Sequence, residues 1–292
     1  MNYNINIRFV VVCGDGEYII YTALAWRNKS FGNALDFVWA LDSNEYAIRE
    51  SSSKVRIFKS FKEKNVEIRF SFSSEAIHGG ALLGIRSSGF LTFFDWETGS
   101  CVRRIDVVAK NVFWSESDLV VIACEESFYV LKFNRLAFQA ALDRSGGFLP
   151  EGEGVEDALE VVSEINEVVK TGTWVGDCFI YTTSINRLNY IVGGQVSTIY
   201  HFDSPMYVLG YIARDNRIYL SDKDINVLSF SLPLTLVEYQ TAVLRGDLEA
   251  ADSILPSISV DQRERVARFL EGQGMFFYLN IRTIGTVTRR FQ

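Results

Sequence analysis

"FFDWETGSCVRRI", residues 93–105, reads as the end of one β-strand, a tight turn and the start of another. Phe93 and Phe94 close an apolar run, Glu97, Thr98 and Gly99 supply turn chemistry, and Cys101, Val102 and Ile105 resume an apolar strand. A single hairpin with a Gly turn occurs in every class of β protein, so the question is whether the unit recurs. Short strand-like runs succeed one another from residue 9 to residue 231, among them "RFVVVC", "EYIIYTAL", "ALLGIR", "DLVVIAC", "CFIYTT", "RLNYIVGG" and "RIYLSD". Turn signals fill the gaps: Gly14-Asp15-Gly16, Asp42-Ser43-Asn44, Ser87-Ser88-Gly89, Gly193-Gly194 and Asp215-Asn216. Strands this short, without helices between them, mean antiparallel all-β.

A longer period is also present. "DFVWALDSNEYAIRESSSKVRIF", "NVFWSESDLVVIACEESFYVLKF" and "MYVLGYIARDNRIYLSDKDINVLSF" share one grammar: an aromatic-containing strand, a polar turn, an apolar strand, a second turn, and a strand ending in Phe. Trp39 and Trp114 take equivalent places, as do Phe58 and Phe133. The units recur on the scale of one propeller blade, roughly 40–45 residues. Phe94 and Asp95 then stand where a WD-type blade carries its Trp-Asp pair. The predicted fold is mainly β: an incomplete WD40-like β-propeller of about five to six blades over residues 8–232, with a jelly roll or barrel as the alternative.

Two segments depart from the pattern. Residues 143–172 are acidic, and Val155, Ala158, Leu159 and Val162 share one helical face, which predicts a loop and short helix inserted in a blade at 143–166. A solvated decoration and a partner-binding element are its two readings. After Leu232, helical spacing appears in Leu236, Tyr239, Ala242 and Val243, then in a second helix ended by Pro256 and a third around Val266, Phe269 and Leu270. Paired short helices at 233–274 read as the start of an α-solenoid. Residues 275–292 read as a divergent tail, with Arg282, Arg289 and Arg290 as its cations.

Composition narrows the function. With 48% hydrophobic and 22% charged residues over 292 positions, the chain has a folding composition, and a net charge of −7 argues against nucleic-acid binding as its main business. Cys13, Cys101, Cys124 and Cys178 stand far apart in apolar stretches and read as reduced thiols of a cytosolic protein. No apolar run approaches the ~20 residues of a membrane span. His78 and His201 lie in no metal-spaced cluster, Asp222 and Asp224 lack the Gly and Glu of a calcium loop, and no nucleophile elbow or phosphate loop is present. No catalytic, cofactor-binding or metal-ligating residue is therefore nominated, and the chain is read as not an enzyme. "KVRIFKSFKEK", residues 54–64, is the one basic run. Alternation places Lys54 and Arg56 opposite Val55 and Ile57, as in a solvated outer strand. The functional alternative is a patch facing anionic membrane, in which Lys59, Lys62 and Lys64 would support liposome binding.

"RFVVVCGDGEYIIYTALAWRNKSFG", "EYAIRESSSKVRIF", "KTGTWVGDCFIYTTSINRLNYIVGG" and "LVEYQTAVLRGDLEAADSILP" resemble the beta-prime subunits of coatomer, the COPI vesicle coat, plant forms most of all. The resemblance runs from Arg8 to Gly274. It implies a non-enzymatic coat component, built in full from two tandem propellers and an α-solenoid, in protein transport between Golgi and endoplasmic reticulum. It implies the alpha and epsilon coatomer subunits as partners, no cofactor, and peripheral attachment to Golgi and vesicle membranes on the cytoplasmic side. Dilysine cargo is read in that family by the first propeller, which has no counterpart here. The chain then enters the second propeller part-way, and the expected consequence is an open or strained arrangement with unpaired strand edges. A stand-alone interaction module or a non-functional truncated product is the alternative.

Overall fold

The computed structural model describes residues 8–42 and 44–275, together with the backbone of residues 2–3. The reading of a divergent tail, with its three arginines, falls outside the described residues from position 276 onward. The chain divides into two compact units, Met1–Val168 and Val169–Gln292.

The first unit holds four antiparallel sheets of four strands each. The first comprises β1 (Asn2–Tyr3), β2 (Phe9–Gly14), β3 (Glu17–Thr22) and β4 (Asn28–Asn33). The second comprises β5 (Asp36–Trp39), β6 (Glu45–Ser51), β7 (Lys54–Lys59) and β8 (Lys62–Glu63). The third comprises β9 (Ala76–His78), β10 (Leu83–Arg86), β11 (Leu91–Phe94) and β12 (Cys101–Ile105). The fourth comprises β13 (Asn111–Trp114), β14 (Leu119–Ala123), β15 (Phe128–Phe133) and β16 (Leu159–Ile165), with helix α1 (Arg135–Arg144) between its last two strands.

Each strand pairs with its sequence neighbour, so every sheet is a meander. The 93–105 stretch is the β11–β12 hairpin, and its turn is held by Asp95. Asp95 Oδ2 accepts from Thr98 N at 2.8 Å, Thr98 Oγ1 at 2.8 Å and Glu97 N at 3.2 Å. Gly99 follows with φ +68°, a conformation that glycine adopts without a Cβ penalty. Trp39 and Trp114 each end the first strand of their sheet, and Phe58 and Phe133 lie on the third.

The cores lie between consecutive sheets. Val11, Tyr18 and Ile20 pack with Phe37, Trp39 and Tyr46; Ala47 and Ile57 pack with Ile77, Leu83 and Ile85; Leu91 and Phe93 pack with Val120, Ile122 and Leu131. Burial on both faces is why inner strands such as β11 and β14 read as near-continuous apolar runs rather than clean alternations.

The acidic segment is the main departure from expectation. Its helical face at Val155–Val162 does not form a helix: residues 156–158 make a single 3₁₀ turn and β16 follows. The open edge of β15 captures the segment, with Phe133 opposite Leu159 and Val130 opposite Ser163. β-Branched Val161 and Val162 fit an extended strand better than a helix, and the pairing satisfies an edge that would otherwise stand open. The helix lies earlier, at α1, where Asn134 caps Ala137 N at 3.1 Å and Phe138 and Leu142 are buried.

The second unit holds β17 (Val169–Val175), β18 (Cys178–Thr183), β19 (Arg187–Val192) and β20 (Gln195–His201) as one four-stranded sheet. A three-stranded sheet follows, of β21 (Tyr207–Ile212), β22 (Arg217–Ser221) and β23 (Val227–Ser231). Helices α2 (Leu234–Leu244), α3 (Leu248–Ile254) and α4 (Arg263–Gly272) complete the described chain. Leu236, Tyr239, Val243, Phe269 and Leu270 share one core with Cys178, Ile180 and Tyr190, so the helices are packed onto the sheet. The molecule is thus mainly β, with propeller-type sheets followed by short helices.

Candidate interaction surfaces

Among the described residues, no group of three or more His, Cys, Asp or Glu is placed to hold a metal. The candidate functional features are surfaces, and the basic run is the first. β7 alternates as its sequence requires, with Val55 and Ile57 buried. Its cations do not form a free positive patch. Arg56 grips Glu63 through both Nε, at 2.6 Å, and a terminal nitrogen. Lys54 Nζ lies 2.8 Å from Glu50, and Lys59 Nζ lies 2.9 Å from Glu97. Lys64 Nζ donates to Glu45 Oε1 at 2.8 Å and to the Trp96 carbonyl at 3.0 Å, and pairs with Glu97 Oε2 at 3.0 Å. The hydrogen bonds from Arg56 hold the Glu63 carboxyl below its usual range, and those from Lys59 and Lys64 do the same for Glu97. Glu63 in turn raises the Arg56 guanidinium, and Glu97 raises Lys59. The structure therefore brings Lys59 and Lys64 together on one carboxylate. Lys62, at the start of β8, is exposed.

A second feature is a cleft of about 570 Å³ along the first strands of three consecutive sheets, lined by Trp39, His78, Gly79, Gly80 and Trp114 among others. Gly79 and Gly80 make the junction possible. A Cβ on Gly79 would lie 1.9 Å from the Trp39 carbonyl oxygen, and one on Gly80 (φ +135°) would lie 1.9 Å from Trp114 Cδ1. The Gly80 carbonyl accepts from Leu41 N at 2.9 Å and from Trp96 Nε1 at 3.0 Å, tying neighbouring sheets together. His78 Nε2 is sealed from solvent without a hydrogen-bond partner. Burial, aided by the Arg86 charge, pushes its imidazole down to about 4, so it is neutral at physiological pH. Cys101 and Cys178 are buried and their thiols raised by burial, which makes them poor nucleophiles. Asp222 organises a turn, accepting from Asp224 N, Asn226 N and Asn226 Nδ2 at 2.8–2.9 Å.

The acidic segment is stitched to the third sheet. Cys101 N donates to the Leu149 carbonyl at 3.0 Å, Arg104 N to Glu153 O at 3.0 Å, and Val155 N to Val102 O at 2.7 Å. Residues 149–155 thereby cover the outer edge of β12, and Glu151 accepts from Ser71 N at 2.6 Å. Sequence reading missed this role because edge cover depends on a partner strand some fifty positions away.

The third feature is the seat of the helices. Arg245 beyond α2 pairs with Asp177 at 2.8 Å, Gln195 Nε2 donates to the Arg268 and Phe269 carbonyls at 3.3 Å, and Gln273 Nε2 donates to Gly193 O at 3.0 Å. The β17–β18 and β19–β20 turns thus grip both ends of the helical array. Gly193-Gly194, legible only as a turn in sequence, is one of these contacts.

Residues 1–222 match the family model of the COPA/B second β-propeller, and residues 239–279 match that of the COPA/B TPR domain. The chain belongs to the COPA/B coatomer family. It is 58% identical over 275 residues to rat coatomer subunit beta′, which covers 94% of this chain and 30% of that protein. It is 57% identical over 277 residues to coatomer subunit beta′-1 of Arabidopsis thaliana, with the same coverage. The chain thus spans about a third of the length of these curated relatives. In structure it is similar to the β-propeller domain of Cps50 (Swd1) from Myceliophteria thermophila, with a TM-score of 0.55 at 10% identity, covering 79% of this chain and 82% of that one. That likeness speaks for the propeller fold alone.

Proposed function

We propose that the chain acts as a non-enzymatic structural segment of a COPI coat subunit, serving protein transport between Golgi and endoplasmic reticulum. The observation that carries this reading is the order of the two family matches, propeller then TPR, on a chain whose helices are seated on its sheet by Arg245–Asp177, Gln195 and Gln273. In this reading residues 8–232 serve as the propeller and 233–274 as the first part of a solenoid. Alpha- and epsilon-type coatomer subunits are its partners, and it works at the cytoplasmic face of Golgi and vesicle membranes. Dilysine cargo is assigned to a propeller outside this chain. The ion-paired Arg56, Lys59 and Lys64 and the sealed, neutral His78 fit a scaffold better than a reacting site. The test is capture of coatomer subunits from cytosol by the tagged full chain. Retention supports the assembly role, and a soluble chain that retains none overturns it.

A further inference from the structure

We propose that the turn between β3 and β4 is a membrane-contact loop, seating Leu24 and Trp26 in the interfacial layer of a bilayer that carries anionic lipid. The inference deepens the coat reading above and rests on it only for the presence of a membrane. Leu24 is 100% exposed, Trp26 54% and Phe31, on the adjoining strand, 73%. Scattered apolar residues on a surface need no explanation, but two such side chains within three positions at one hairpin tip do, with a third, Phe31, midway along β4 opposite Ile19.

The exposure is built in. Trp26 N donates to Thr22 O at 2.9 Å, Thr22 N to Arg27 O at 2.9 Å, Arg27 N to Thr22 Oγ1 at 3.1 Å, and Ala23 N to Arg8 O at 2.9 Å. These bonds fix a turn in which Trp26 adopts φ +50°, a strained region for a bulky side chain. The Tyr21 ring, 5.9 Å from that of Trp26, props the indole from one side.

Charge selects the occupant. From Tyr18 to Leu35 there are two cations, Arg27 and Lys29, and no carboxylate, in a chain of net charge −7. Asp15 and Glu17 sit at the opposite end of the β2–β3–β4 meander. Lys29 Nζ rests over the Phe61 ring at 5.1 Å, and among the described residues neither Arg27 nor Lys29 has a carboxylate partner, unlike Lys54, Arg56, Lys59 and Lys64 of the basic run. An indole and an aliphatic side chain flanked by unpaired Arg and Lys suit the headgroup layer, where Trp rests at the interface and cations meet anionic lipid. Among the described residues no helix is long and apolar enough to cross a membrane, so this contact is peripheral.

The test is flotation of the full chain with phosphatidylcholine vesicles, with and without phosphatidylserine. Binding is expected only with phosphatidylserine. It should fall at least about tenfold in L24S/W26S, and about fivefold for each cation reversed in R27E/K29E. Brominated lipid should quench the wild-type tryptophan emission more than that of the W26F variant, in which Trp39 and Trp96 are buried and Trp114 and Trp174 half-buried. Equal quenching of the two would count against Trp26 as the contact. L24S/W26S should still capture coatomer subunits, which separates this inference from the coat reading. Equal flotation of L24S/W26S, no flotation of the wild type, or loss of subunit capture with flotation intact would each overturn the loop's membrane role.

Discussion

Replacing Lys64 with Met removes an ammonium that three oxygens share: Glu45 Oε1 at 2.8 Å, the Trp96 carbonyl at 3.0 Å and Glu97 Oε2 at 3.0 Å. The Glu45 side chain is 5% exposed and that of Lys64 13%, so the substitution strands a carboxylate away from water. Breaking a buried pair in this way costs about 3–5 kcal/mol, and the partial access of water to Lys64 lowers the expectation to about 2–4 kcal/mol. Lys59→Met is the matched control, since its pair with Glu97 is 46% and 61% exposed. Exposed pairs of that kind contribute about 0.2–1 kcal/mol. Urea unfolding with an m-value of about 2–3 kcal/mol/M should place the Lys64→Met midpoint about 1 M below wild type and leave Lys59→Met within about 0.5 M. The double variant Glu45→Met/Lys64→Met should recover most of the loss, because neither charge is then left buried. If Lys64→Met proves no worse than Lys59→Met, or the double variant is no better than the single, Lys64 is not a buried structural cation. The reading of the basic run as internally neutralised would then fail.

Three further outcomes are expected. Because the native His78 imidazole is held down at about 4 against an ordinary 6.5, the unfolded chain binds a proton that the native chain refuses between those values. Stability should therefore be full above pH 6.5 and fall by about 3 kcal/mol as pH drops toward 4, and unfolding of His78→Phe at pH 7 and pH 5 should show a flatter dependence. Gly80→Ala should destabilise by about 2–4 kcal/mol in thermal unfolding, since its Cβ meets the Trp114 ring at 1.9 Å on a backbone of φ +135°. Phe269→Ala, at 0% exposure in the core shared by helices and sheet, should cost about 3–5 kcal/mol and loosen the helices, seen as faster amide exchange across α2 and α4.

Strands, turns and terminal helices were legible because their causes are local. Asp95 and Gly99 make their turn from residues within five positions, and Val55 and Ile57 turn inward by the period of the strand itself. The spacing of Leu236, Tyr239 and Val243 selected the face that α2 buries. Three decisions lay beyond the local pattern. Residues 159–165 are a strand because β15 offers an open edge, which overrode a helical spacing that had no partner of its own. Lys59 and Lys64 are ion-paired because Glu97, 38 positions from Lys59, arrives from the next sheet, and because Glu45, 19 positions from Lys64, is carried there by β6 of the same sheet. And Leu24 and Trp26 stay outside because the hydrogen bonds of Thr22 hold their turn away from every core, although composition alone would have sent both inward. Periodicity dictates which face of an element is apolar; only the approach of distant elements decides what that face, or that charge, will meet.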